Sequence, residues 1–176
     1  IRTLVELDKP LIAAVDGAAY GAGFSLALMA DFVLASPRAR FCLSFMRVGL
    51  VPDFAAMHTL PRVVGVQRAK ELMLSAREVP ADEALRLGIA MEIVPADGLL
   101  ARAHALAASF RGASPLALGL IKAEVGMSLA TDLRTALGNE ADHQALCFET
   151  DTHRAAVRRF LAKEPAAFQF PAAPAG

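Results

Sequence analysis

Two features of this chain have residue types and spacing that can do chemistry. The first is Asp16-Gly-Ala-Ala-Tyr-Gly-Ala-Gly-Phe-Ser25, in which Gly17, Gly21 and Gly23 crowd the exit of an apolar run, Pro10–Val15. Glycines between a strand and a helix let the backbone approach a ligand closely and aim free N–H groups at negative charge. The second is Asp53, a lone acid flanked by Leu50, Val51, Pro52 and Phe54. Burial among such neighbours disfavours a charged carboxylate and raises its basicity. Donors for an anion together with an acid in apolar surroundings point to carbanion or enolate chemistry.

The elements that must position these residues follow from the pattern on either side. Residues 1–7 read as the end of an amphipathic helix, which Lys9-Pro10 breaks. Leu11–Val15 is a short apolar run bounded by turn signals, as expected of a buried strand. Asp16–Gly23 reads as one glycine turn, and Phe24–Ala30 as a small-residue helix. Asp31–Ala35 and Ala39–Leu43 read as two strands joined by a Ser36-Pro37 turn. Residues 45–53 are expected as loop or a broken turn, since Gly49 and Pro52 disfavour a continuous helix. Residues 55–64 and 66–75 read as helices separated by Gly65, and 77–88 as a brief strand and a short helix ended by Gly88. Ala90–Val94 alternates like a strand. From Ala96 the period becomes 3.6, with Leu99, Leu100, Ala103, Leu106, Ala107 and Phe110 on one face. Ser114-Pro115 starts a further helix, Asp132 and Asp151 are candidate caps for two more, and the tail 171–176 is expected to lack order. The division expected is a β/α part over 1–112 and a helical part over 113–176.

Composition limits the function classes. Lys and Arg number 18 against 18 Asp and Glu, a balance that argues against nucleic-acid binding. Hydrophobic residues make up 55% and mean hydropathy is +0.42, so surface buried between subunits is expected. Charges or prolines interrupt every apolar run, which disfavours a membrane span. Cys42 and Cys147 lack metal-ligand or redox spacing and fit a reducing compartment; with no signal-peptide pattern, a cytoplasmic location is expected. His58, His104, His143 and His153 show no mutual spacing and read as surface or helix-face residues. The first residue is not Met, so the chain is expected to begin inside a longer protein.

Taken together, Lys9–Gly23, Asp31–Ala35, Ala39–Phe41, Val48–Asp53, Leu60–Gly65, Ala81–Gly88 and Phe160–Phe168 resemble the crotonase (enoyl-CoA hydratase/isomerase) superfamily over almost the whole chain. The resemblance implies an α/β fold, a spiral of ββα units with an all-helical C-terminal region that builds trimers or dimers of trimers. It also implies acyl-CoA thioester substrates, with coenzyme A as part of the substrate and no metal or redox cofactor. Enzymes of this family hold a thioester enolate with two backbone N–H groups. One falls on Ala22, between Gly21 and Gly23; such a preorganised donor is typically worth roughly 3–4 kcal/mol of barrier. Its partner, and much of the adenine pocket, belong to a segment that precedes residue 1.

The two glutamates that hold the attacking water in hydratases of this family fall on Ser25 and Phe45, and neither can act as a base. Asp53 falls where several family isomerases carry a catalytic aspartate, and Gly-Leu-Val-Pro-Asp53 is similar to theirs. The expectation is therefore an enoyl-CoA isomerase with Asp53 as proton shuttle. A hydratase is the first alternative. A silent acyl-CoA-binding subunit is the second, since Ala55-Ala56 stands where the family has glycines. Gly21, Ser25, Ser44 and Phe45 are expected to line the acyl site by position, and Phe160 and Lys163 to meet the adenine and phosphates of coenzyme A. The plainer roles are a packing residue for Ser25, core for Phe45 and Phe160, an N-cap for Asp53, and a solvated helix end for Lys163.

Overall fold

A computed structural model describes residues 1–172 of the chain; the last four positions of the expected tail lie outside the described residues. After a single helical turn, α1 (Arg2–Val5), the chain alternates between two small sheets. β1 (Ile12–Val15) lies in the first sheet and β2 (Ala18–Tyr20) in the second, and α2 (Ala22–Ala27) follows. The same step repeats with β3 (Phe32–Ala35) and β4 (Arg40–Cys42). A 3₁₀ turn (Ser44–Val48), α3 (Ala56–Val64) and α4 (Val66–Ser75) come next. β5 (Val79–Pro80), α5 (Ala81–Arg86) and β6 (Glu92–Ile93) complete the sheets in the orders β1-β3-β6 and β2-β4-β5. Strands of the first sheet are parallel; β2 pairs parallel with β4, which pairs antiparallel with β5. This is the spiral of ββα units that the sequence resemblance implies.

The sheets and helices close over one main core that includes Phe24, Phe41, Leu43, Leu60, Leu72 and Val79, all nearly or fully buried. The rings of Phe24 and Phe41 meet at 5.2 Å. Burying side chains of this size stabilises by roughly 1.5–3 kcal/mol each. A second cluster forms where α6 (Leu99–Ser109) lies on β1 and β3, through Leu34, Val94, Leu99 and Leu106. The apolar face of α6 is narrower than its periodicity predicts, because Leu100 and Ala107 are exposed. The chain's end returns to this cluster, where the rings of Phe168 and Phe170 pack on Phe110, and Phe170 also meets Phe32 at 5.7 Å.

The remaining helices are α7 (Pro115–Met127), α8 (Leu133–Phe148) and α9 (Asp151–Leu161), and none has a buried residue. Ser114 and Asp132 cap α7 and α8 as expected, accepting the Ala117 and Thr135 N–H groups at 3.3 and 3.1 Å. The cap of α9 is a correction. Thr150 takes that place, accepting the His153 N–H at 3.2 Å, and Asp151 is the first helical residue. Thr150 is extended, the conformation a cap requires, while an acid one position later still favours the positive helix start.

Candidate active site

The stretch 16–23 is not one turn but two, with β2 between them. Gly17 (φ 119°) leaves β1 and its carbonyl accepts the Arg40 N–H at 2.9 Å. Ala18–Tyr20 then pairs with Arg40–Cys42. Nothing in Ala-Ala-Tyr favours a strand over a turn; pairing with β4 decides it. Asp16 anchors the first turn through Arg38, whose Nε donates to it at 2.7 Å, and this guanidinium holds the Asp16 carboxyl down to about 2.

The second turn carries the N–H expected as a donor. Gly21 has φ 51° and ψ −121°, a backbone region that residues with a side chain avoid. Its N–H donates to the Cys42 carbonyl at 2.8 Å, which ends the strand pairing and swings the chain into α2. Ala22 is therefore the first helical residue, and helix geometry leaves its N–H without an internal acceptor. Among the described residues that N–H makes no hydrogen bond.

The 3₁₀ turn faces this corner. A Cβ placed on Gly21 would lie 3.7 Å from both the Phe45 ring and the Ser44 hydroxyl oxygen. Gly21, Ser44 and Phe45 thus meet. Ser25 is fully buried beneath them, its hydroxyl turned back to the Gly21 carbonyl at 3.2 Å. Phe45 packs its ring against the main core.

Gly49 (φ 72°) closes the 3₁₀ turn and leads to Asp53, and here the structure corrects two expectations. Asp53 is exposed, and Leu50 and Val51 are 59% and 69% exposed, so within this chain the expected apolar enclosure is lacking. Nor does its side chain cap α3. Only the Asp53 carbonyl bonds there, accepting the Ala56 N–H at 3.0 Å. Phe54 and Ala55, at φ 49° and 61°, turn the chain into the helix instead. Left-handed conformation at non-glycine residues costs about 1–2 kcal/mol each.

Phe160 and Lys163 stand apart from this group. They lie at the end of α9, which packs against α8. Phe160 is 80% exposed, against the reading of it as core, and Lys163 is exposed with φ 57°, its N–H donating to the Phe160 carbonyl at 3.1 Å. A cavity of about 640 Å³ also lies elsewhere. It is the groove between α7 and α8, floored by Leu120, Ile121, Val125 and Leu137, with Glu124 and His143 at its polar side. Among the described residues no group of three or more His, Cys, Asp or Glu side chains converges on a metal position, and no helix is long and apolar enough to cross a membrane.

Tyr20 and Arg47, which flank the Gly21 turn and Phe45, carry no sequence signal of a role. In the structure the Tyr20 hydroxyl donates to Glu78, and this bond raises the Tyr20 pKa. Arg47 donates to the Ala76 carbonyl at 2.7 Å. Their partners are more than 25 residues away and no local pattern announces them.

Known proteins resemble the chain in both sequence and fold. The crotonyl-CoA hydratase of Syntrophomonas wolfei is 36% identical over 167 residues, covering 95% of this chain and 64% of its own length. The 1,2-epoxyphenylacetyl-CoA isomerase of Escherichia coli is 37% identical over 168 residues, covering 96% and 64%. A crystal structure of an enoyl-CoA hydratase/isomerase from Cupriavidus metallidurans superposes with a TM-score of 0.95 at 50% identity, over 98% of this chain and 65% of that one. The chain thus spans less than two thirds of the length of these relatives. A family model described as enoyl-CoA hydratase/isomerase matches residues 1–170. On these matches and this fold, the chain belongs to the enoyl-CoA hydratase/isomerase family.

Proposed function

We propose that this chain supplies the greater part of an acyl-CoA isomerase site, which moves a double bond through a thioester enolate. The observation that carries the choice of reaction is what stands beside the Ala22 N–H. The family resemblance gives the water-holding glutamates of hydratases to positions 25 and 45. Here those positions hold a buried Ser25 bonded to its own backbone and a Phe45 ring packed on the core. The corner offers no carboxylate to a water.

In this reading the substrate's thioester oxygen accepts the Ala22 N–H and a second donor from outside the chain. Asp53 takes a proton from the α-carbon of a 3-enoyl thioester. The C–H electron pair enters the dienolate, with its charge on the thioester oxygen. Returning the same proton to the γ-carbon leaves the conjugated 2-enoyl thioester, and Asp53 ends as it began. One carboxylate suffices where it reaches both carbons. The apolar wall around it is then formed by substrate and by groups outside this chain, against the exposed Leu50 and Val51. Phe160 and Lys163 are assigned to the adenine and phosphates of coenzyme A. The unburied helices α7–α9 are assigned to contacts between subunits of a trimer or dimer of trimers, which analytical ultracentrifugation tests.

The exposure of Asp53 to water favours a second reading, hydration of a 2-enoyl thioester with Asp53 as the base. One experiment separates the two. On mixing the intact protein with a 3-enoyl-CoA, isomerisation raises the ultraviolet absorbance of the conjugated enoyl thioester. A flat trace with 3-enoyl substrates, together with loss of absorbance from a 2-enoyl-CoA, makes the enzyme a hydratase.

A further inference from the structure

The corner between α4 and β5, Ala76-Arg77-Glu78, receives bonds from three directions. Ala76 is buried and left-handed, φ 49°. Its carbonyl accepts the Arg47 Nη2 at 2.7 Å and the Cys42 thiol at 3.1 Å. Glu78 accepts the Tyr20 hydroxyl. Between them, Arg77 is fixed from both sides, donating to Glu71 of α4 at 2.5 and 3.1 Å and to Glu83 of α5 at 2.9 and 2.7 Å. A fifth bond, 3.1 Å, goes to the Glu78 carbonyl. The corner is a rigid block clamped to two helices.

What reaches this block is specific. Tyr20 immediately precedes Gly21, and Cys42 is the residue whose carbonyl holds the Gly21 N–H. Arg47 belongs to the 3₁₀ turn that carries Ser44 and Phe45 and opens the loop to Asp53. Tyr20, Arg47 and Glu78 are all exposed, so these bonds add little to the core. Gly21 has no side chain of its own to hold its conformation, and a catalytic donor must be held to within about 0.5 Å.

We propose that the Ala76–Glu78 corner is a positioning element for the active site, with Tyr20, Arg47 and Glu78 as positioning residues. Through Tyr20 it fixes the turn that aims the Ala22 N–H, and through Arg47 it fixes the loop that leads to Asp53. The two halves of the site are thereby held in one register. This rests on the reading in which the Ala22 N–H receives the thioester oxygen.

The test uses Tyr20→Phe, Glu78→Gln and Arg47→Met in the intact protein, with two readouts. The first is turnover of a 3-enoyl-CoA. Each variant is expected to lower kcat by about tenfold or more with KM little changed, as misplaced catalytic groups do. Tyr20→Phe and Glu78→Gln together are expected to lose no more than either alone, and Arg47→Lys to recover part of the Arg47→Met loss. The second readout, independent of activity, is amide hydrogen exchange across Gly21–Ser25, expected to quicken in Tyr20→Phe and Glu78→Gln at unchanged Tm. Unchanged exchange in both variants overturns the proposal, whatever the wild type does with substrate. If the wild type leaves every 3-enoyl-CoA unconverted, the isomerase reading fails, while the exchange data still decide the positioning role. Unchanged kcat in an active enzyme also overturns it.

Discussion

Replacing Gly21 by alanine separates a backbone requirement from a spatial one. The added methyl would lie 3.7 Å from the Phe45 ring and the Ser44 hydroxyl, ordinary contact distances, so there is room for it. The penalty lies in the backbone, because φ 51° with ψ −121° is a conformation that alanine resists. Strain of this kind is worth about 1–3 kcal/mol. For a chain of this length that lowers Tm by about 2–12 °C, unless the turn relaxes and moves the Ala22 N–H. Either way turnover suffers, since losing one aligned donor lowers kcat by roughly 10²–10³. Gly23 is the control. Its φ is not positive and an added Cβ meets nothing within 4 Å, so Gly23→Ala keeps the fold and gains up to about 1 kcal/mol from helix propensity. Thermal unfolding of both variants beside the wild type reads the difference. If Gly21→Ala melts with the wild type and also keeps its turnover, or if Gly23→Ala is the less stable of the two, the argument from backbone conformation is refuted.

Three further outcomes are expected. Asp53→Asn lowers isomerase turnover by at least about 10²-fold, yet leaves Tm unchanged because the side chain is exposed and makes no hydrogen bond among the described residues; full turnover removes Asp53 from the mechanism. Arg77 holds the Glu71 and Glu83 carboxyls below their ordinary value of 4.5, so this stabilisation is complete above that pH and is lost as pH falls through their folded-state values. Arg77→Met therefore lowers Tm at neutral pH and flattens its decline as pH falls below 4.5, and an equally steep decline in acid contradicts the assignment. Arg102 donates to Glu92 at 2.9 and 3.1 Å with only 14% and 10% of the two side chains exposed. Arg102→Leu strands a buried carboxylate and destabilises by about 3–5 kcal/mol, read as the denaturant midpoint at unchanged slope.

Much of this fold is legible in the sequence because its signals are local. Gly65 and Gly88 end their helices, Ser114 and Asp132 begin theirs, and the apolar runs at 12–15 and 32–35 form strands. What escapes depends on partners distant in the chain. β2 exists because β4 lies beside it, and the tethers of Tyr20 and Arg47 end on residues that only the folded chain brings near. The candidate site divides the same way. The glycine turn announces a free backbone N–H, since only glycine adopts Gly21's conformation easily. The surroundings of Asp53 do not follow from its neighbours in sequence, because Leu50 and Val51 stand exposed while Pro52 beside them is buried. Asp151 shows how fine the local code is, for the hydroxyl one position earlier fits the extended cap geometry and takes the role.

The aromatic cluster around Phe32 has a consequence for how the protein is made. Phe32 belongs to a strand near the beginning of the chain, yet Phe170, near its end, closes the cluster. On a ribosome, the interval between making the first ring and the last is on the order of ten seconds. Throughout that time Phe32 and Phe110 have no tail to cover them, while β1, β3 and α6 can already pack. The last strap therefore docks on a finished scaffold, and a nascent chain stopped before Phe168 presents a sticky aromatic face to whatever is nearby.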